Sequence, residues 1–439
     1  MTRNEMLGSE RAANGAKVRV VRSTLAGLMA AALALPAVVS AQTIAITGGR
    51  VFPVSGPSLE NATVLIEDGE IVAVGTDVSI PAGASLIHAA GKWVTPGLIS
   101  GFTQLGLVEI SAVSGTNEAS MAESDISAAF NVLEGINPAS QLIPVTRVDG
   151  ITTVLSAPSG GLIAGQAVLI DLHGESVEEM LIASPADMVA ALDEGAKDSG
   201  GGSRAGSAGR LRKLLDDALD YEARRDEYRR GETQELAAPA ADLEALLLVL
   251  EAEIPLLVAA SRRSDIEAAL RVATDYGLQL ILRGAEEGWQ VADRLAELGV
   301  PVIIDPLANI PSYDAPSPRL DNAAALSGAG VPVIIMAAGF QYSHNARNVR
   351  QGAGHAVSYG MGWDAALRAV TLEPATAFGI ADRYGSLEPG KVANVVVWSG
   401  DPFEFSTAVE AVFIRGEQIP LTSRQRELLE RYKTLPPAY

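Results

Sequence analysis

Cysteine is absent from the 439 residues, histidine occurs four times, and aromatic residues make up only 5%. Without a thiol the chain can form no disulfide, carry no cysteine nucleophile or cysteine-linked lipid, and ligate no metal through sulfur. Its stability must come from core size. Basic residues are scarce as well: 33 Lys and Arg stand against 53 Asp and Glu, a net charge of −20. Such a surface repels phosphate backbones and anionic lipid heads, which excludes nucleic acid as a partner. The G-x-S-x-G elbow of serine hydrolases is also missing, and Ser159 in Pro158-Ser159-Gly160-Gly161 reads as a turn residue. What the chain has in quantity is apolar surface, 48% hydrophobic against 20% charged. That is too apolar for disorder, and the length suits one large domain plus a smaller one.

The apolar run from Leu25 to Val39 follows Arg11, Lys17, Arg19 and Arg22 and ends in Val39-Ser40-Ala41, a small-residue cleavage pattern. It is shorter than the roughly 20 apolar residues that a stable membrane helix needs. A secretory signal over residues 1–41 is expected, with the mature chain starting at Gln42 in the periplasm and no stable membrane span; an uncleaved anchor is the alternative. Losing residues 1–41 removes five basic and two acidic residues and takes the net charge from −20 to −23.

Short β-rich runs punctuated by Gly, Pro and Asp-Gly follow: Ile44–Thr47, Gly48–Phe52, Ala62–Ile66 and Glu70–Val74. The same texture returns in Ala393–Trp398 and Val409–Ile414. Two β-rich ends around a different middle predict one composite β-sandwich, residues 42–92 plus 384–418, followed by a tail over 419–439. Between them, apolar runs such as Gly150–Leu155, Gln166–Ile170, Ile254–Val258, Leu278–Leu282, Val300–Ile304 and Val331–Ile335 alternate, from residue 254 on, with helix-like stretches such as Ser264–Tyr276 and Glu286–Leu298. That alternation predicts parallel strands with crossover helices, an α/β class (β/α)8 TIM-type barrel over residues 93–383. Ser199-Gly200-Gly201-Gly202-Ser203 reads as a flexible loop, since no strand leads into it. Leu211, Leu214, Leu215, Ala218 and Leu219 then repeat at helical spacing. They mark either an outer helix with a solvated side or a partner-binding helix.

The string Pro96-Gly97-Leu98-Ile99-Ser100-Gly101-Phe102-Thr103-Gln104-Leu105-Gly106 resembles PGLID-x-H-x-H-x-G of the amidohydrolase superfamily, particularly its exported, imidazolonepropionase-like members. The resemblance extends through Ala366–Thr371, Pro374-Ala375 and Gly379 to Gly385–Ala393, similar to G-S-L-x-P-G-K-x-A-D, with Asn394 in place of the aspartate. It implies a barrel with a composite sandwich, and hydrolysis of carbon–nitrogen bonds other than peptide bonds by zinc or another divalent ion. Imidazole and carboxylate bind such an ion, and a further aspartate takes a proton from its water. Carried across position by position, the pattern puts Phe102 and Gln104 at the histidine pair and Ala259 or Ser261 at the next histidine. Arg283-Gly284 stands where His-Gly is expected, Ala337-Ala338 where Thr-Asp is expected, and Asp171 lies near the mid-barrel lysine. A zinc ion lowers the pKa of its water from 15.7 to about 7, whereas a general base by itself contributes only about 10² to 10⁴ in rate.

The expectation is therefore a pseudoenzyme with a degenerate metal site, no metal ligands and no cofactor. It binds a small amide or peptide-like molecule, or serves as the partner subunit of an active paralogue. The alternative is a working C–N hydrolase with a non-standard site. His88, His173 and His355 read as surface or ordinary helix positions, while His344 follows the last barrel strand on the face where barrel active sites form. His344 and Asp305 are the catalytic candidates, and Gln104, Arg283, Asp305 and His344 the ligand-binding ones. Arg283 either supplies the charge of the missing ion, with Asp305 or less directly Asp171 as its counter-charge, or points to solvent beside Gly284. Mass analysis of the protein from its native host should give Gln42 as the first residue; an intact Met1 would exclude a cleaved signal.

Overall fold

The computed structural model of the chain describes residues 43–121, 124–337, 342–434 and 436. The expected signal and the Gln42 terminus lie outside these residues. No helix among the described residues is long and apolar enough to cross a membrane.

The first four strands are β1 (Ile44–Val51), β2 (Leu59–Glu67), β3 (Glu70–Gly75) and β4 (Ser85–His88), followed by the short β5 (Trp93–Pro96). The Asp68-Gly69 turn closes the β2–β3 hairpin, both residues adopting positive φ. From the far end of the chain come β14 (Val395–Trp398), β15 (Val409–Ile414) and β16 (Glu417–Ile419). All eight form one sheet in the order β16-β15-β14-β5-β1-β2-β3, with β4 beside β1. In it β5 runs parallel to β1 and antiparallel to β14, so it joins the two ends of the chain. Their apolar side chains close over one core of Ile44, Ile46, Val64, Ile66, Val395, Val397 and Phe413.

Gly97 alone separates this sheet from the barrel. Its backbone N–H bonds to the carbonyl of Asn394, and a Cβ there would fall 2.2 Å from Thr152 Oγ1. The barrel strands are β6 (Leu98–Thr103), β7 (Ile151–Ser156), β8 (Ile163–Asp171), β9 (Leu181–Ala191), β10 (Leu256–Ala260), β11 (Leu280–Gly284), β12 (Val302–Ile304) and β13 (Val333–Ile335), neighbours in that order. The ring nearly closes by packing: Gly101 of β6 leaves room for Ile334 of β13, whose Cγ2 would lie 2.4 Å from any Cβ at Gly101. Ile99, Leu155, Leu169, Leu257, Ile281, Ile303 and Ile334 fill the interior.

The barrel is not uniformly parallel. Strand β8 runs antiparallel to both β7 and β9. The connections on its two sides, residues 157–162 and 172–180, are shorter than the dozen or so residues that a crossover to a parallel strand requires. From β9 to β13 the pairing is parallel. Helices such as Arg204–Ala223 and Arg263–Tyr276 lie between these strands. Leu211, Leu214, Leu215 and Ala218 turn inward on the first helix, while Leu219 remains exposed. Its N-cap is Ser203, whose hydroxyl accepts from the Gly206 N–H, so the glycine-rich segment ends in an ordered cap rather than running on as loop.

The reversal of β8 carries Asp171 to the base of the barrel, beneath the small sheet. There the fully buried carboxylate accepts from Thr153 Oγ1 at 2.7 Å, Asn394 Nδ2 at 2.8 Å, Tyr384 OH at 3.1 Å and Arg415 Nε at 2.7 Å. Asn394 in turn accepts from the Arg415 backbone N–H at 2.8 Å. An aspartate at 394 could not donate and would oppose a second carboxylate at hydrogen-bonding distance. Asn394→Asp should lower stability by about 2 kcal/mol or more, and adding Asp171→Asn should recover part of that. Urea denaturation of the three variants checks this; an unchanged single variant would reject the account.

Candidate functional site at the barrel mouth

Side chains alternate across a strand, so Arg283 points the same way as Ile281, one layer nearer the C-terminal end of β11. Its strand partner is Ala259 on β10. The guanidinium lies over the Phe102 ring, with Cζ 4.5 Å from the centroid, and Nη1 donates to the Tyr342 hydroxyl at 3.1 Å. Phe102 and Tyr342 meet edge to face at 5.4 Å. The Tyr342 carbonyl accepts from Thr103 Oγ1 at 2.7 Å, which anchors the segment after β13 to β6. A cation over an aromatic face is worth about 0.5 to 2 kcal/mol, more as water is excluded. The arginine is thus held by a ring below and a phenol beside it, while Nε is buried and unbonded among the described residues.

No salt bridge to Arg283 occurs among the described residues. Carboxyl groups nevertheless surround it at longer range. Burial pushes the carboxyl of Asp193, just after β9, above the usual range, with Arg283 pulling it back down. Burial does the same to Glu286 after β11, against the Ser261 hydroxyl and Arg283. Around the rim, Arg204 reaches Glu194 at 3.0 Å, Asp265 at 3.2 Å and Asp314 at 2.5 Å, tying together the segments after β9, β10 and β12. Asp187 faces the barrel interior, since its cross-strand partner Ala167 belongs to the interior cluster. It is fully buried, neither carboxyl oxygen has a partner among the described residues, and burial pushes its pKa well above the carboxylate range.

The four residues singled out from the sequence are placed as follows. Gln104 Nε2 donates to Ser159 Oγ at 2.8 Å, joining the loops after β6 and β7. Asp305 is buried, and its Oδ1 caps the turn Pro306–Ala308 by accepting from the Leu307 N–H at 3.0 Å. His344 lies two residues from Tyr342, with Nδ1 3.3 Å from Ser343 Oγ. Arg283 is the one seen within the aromatic cluster, where its hydrogen-bond partner among the described residues is Tyr342. Asp171 is bound to Arg415 at the opposite end of the barrel, so it neither takes the place of a mid-barrel ligand nor balances Arg283. Ala338 lies outside the described residues. Asp187 and Asp193 escaped the sequence reading because β9, interrupted by Ser184-Pro185 and Asp187, lacks the apolar run that marks the other strands. Tyr342 and Arg204 carry no local signal.

Residues 316–419 match the model of the Amidohydrolase family. The chain is 25% identical over 408 residues to the amidohydrolase tasK of Hapsidospora irregularis, an alignment covering 83% of this chain but only 41% of that longer protein. It is 25% identical over 392 residues to the imidazolonepropionase of Mesorhizobium japonicum, covering 77% and 87% of the two chains. Among solved structures, an amidohydrolase from Thermotoga maritima superposes with a TM-score of 0.78 at 28% identity, covering 86% of this chain and 99% of that one.

The buried carboxyls have a sign that can be tested. A group whose pKa is raised on folding keeps its proton in the native state while the unfolded chain loses it, so stability falls as pH rises above the ordinary carboxyl pKa of about 4. Asp187, Asp193 and Glu286 all act in this direction. Asp187→Val should raise stability at neutral pH by about 1 to 3 kcal/mol and flatten the decline between mildly acidic and neutral pH. Denaturation curves at both pH values check it; a loss of stability at neutral pH would show that Asp187 has a partner.

Proposed function

Since the chain belongs to the amidohydrolase superfamily, whose members hydrolyse carbon–nitrogen bonds, we propose that it is an exported binding member whose barrel mouth recognises a small amide or peptide-like molecule through Arg283 in place of a metal ion. The observation that carries this reading is the guanidinium fixed between Phe102 and Tyr342 at the end of β11.

The fit of a divalent ion argues the same way. An ion bound there needs imidazole or carboxylate donors converging within about 2 Å of one point. The mouth offers a phenyl ring at 102, the Gln104 amide engaged by Ser159, an alanine at 259 and a fixed positive charge at 283. Among the described residues no three His, Asp or Glu side chains are grouped to hold an ion. A dication beside Arg283 would meet repulsion where it needs ligands, so the residues present do not fit the ion. A carboxylate on the ligand has the opposite sign, and it could form a charge-assisted hydrogen bond to the guanidinium. Burial disfavours the charged form of the neighbouring Asp193 and Glu286.

A second reading, partner subunit of an active relative, draws support from the loop after β12. There Leu307, Ile310 and Tyr313 stand exposed, an apolar surface of the kind that protein interfaces cover.

An N-acyl amino acid should bind the purified protein, and Arg283→Met should weaken it about tenfold or more, the loss of one charge-assisted bond, with little change in melting temperature. Elemental analysis should find far less than one divalent ion per chain. Stoichiometric zinc, retained through dialysis and required for amide hydrolysis, would replace this reading with a working hydrolase.

A further inference from the structure

The helix Val349–Ser358 lies on the barrel flank. Its Gly352 packs near Ile335, and its Gly354 comes so close to the Phe403 carbonyl that a Cβ would lie 2.6 Å away. Gln351 and His355 are four residues apart on this helix and therefore share a face. Each carries a buried polar atom without a hydrogen-bond partner among the described residues, Gln351 Oε1 and His355 Nε2. Buried polar atoms are nearly always bonded, and these two on one helix face have no partner among the described residues.

Both residues line a cleft of about 510 Å³, walled also by Leu307, Asn348, Ser358, Phe403, Glu404 and Phe405. Phe405 is 85% exposed and Leu307 45%, which gives the cleft an apolar rim. Its volume falls within the roughly 300 to 1,000 Å³ of small-molecule sites. The glutamine oxygen can only accept; the imidazole nitrogen donates or accepts according to its tautomer. A complementary ligand therefore offers an N–H to Gln351 and an amide group to His355. Among the described residues no lysine or arginine lines the cleft and Glu404 does, so a neutral ligand is favoured over a carboxylate.

The geometry points to a second binding site, separate from the barrel mouth, in which Gln351 and His355 hold a neutral amide whose apolar side chain rests on Phe403, Phe405 and Leu307. Neither the mouth reading nor the family assignment is needed for it.

The chain's four histidines make the test direct. N-acetyl-L-leucinamide is titrated into the full chain carrying isotope-labelled histidine, and the imidazole signals are followed by NMR, His355 being assigned through His355→Phe. Saturable movement of the His355 signals is expected. Gln351→Leu should weaken binding by about tenfold, as loss of one hydrogen bond does. N-acetyl-L-leucine, which carries a carboxylate, should move the His355 signals only at higher concentration, whatever it does at the mouth, and Arg283→Met should leave the amide titration read at His355 unchanged. Stationary His355 signals at tens of millimolar amide would overturn the site. So would an unaltered curve for a Gln351→Leu protein of normal melting temperature, or movement confined to His344, which would assign the amide to the mouth. If Gln351→Leu does not fold, the preference for amide over carboxylate read at His355 in the unmodified chain decides: equal saturation of the His355 signals by the two rejects the proposal.

Discussion

The Asp171 carboxylate is the point on which the two halves of the molecule depend. It is fully buried and accepts from four side chains, Thr153 of β7, Tyr384 and Asn394 from the segments leading into β14, and Arg415 at the turn between β15 and β16. A buried charge is tolerated when it is paired and its lone pairs are filled, and these donors come from segments far apart in sequence. Removing any of them leaves negative charge exposed to a low-dielectric interior. Arg415 completes the junction by reaching back to the carbonyls of Glu179 and Met180, just before β9, and of Leu181, its first residue.

The direction of β8 decides what the other end of the barrel contains. Had β8 run parallel to its neighbours, Asp171 at its C-terminus would face the mouth, where a carboxylate could serve an ion or balance a cation. Running backwards, it serves the junction, and the mouth keeps Arg283 without a carboxylate in direct contact among the described residues. The arginine is then restrained by groups that do not neutralise it, a ring face and a phenol oxygen. In a chain of net charge −20, a fixed positive site is a local inversion of the surface field, one that draws anions inward.

Much of this fold was legible in the residues. The short apolar runs that became β10 to β13 stand out because parallel barrel strands are buried on both faces and so read as unbroken aliphatic stretches. The hairpins of the small sheet announced themselves through Asp68-Gly69 and the flanking alternation. Strand β9 did not, because Pro185 and Asp187 interrupt it and its pairing comes from β8 and β10 rather than from its own pattern. Nor did the sense of β8, which depends on connection length.

The sequence by itself determined the composition of the mouth: Phe102, Gln104, Ala259 and Arg283 stand at positions that short motifs and strand periodicity mark out, and no folding can turn them into imidazoles. It also determined that the chain's two β-rich ends would need each other, since neither has enough apolar surface to bury alone. Which charges meet was decided only in three dimensions. Asp171 goes to Arg415, Arg283 to Tyr342 and Phe102, and Gln351 and His355 share one cleft, because each contact joins groups whose approach is set by strand direction and helix phase. Electrostatic and packing energies fall off over a few ångströms, and sequence separation says nothing about distances of that size.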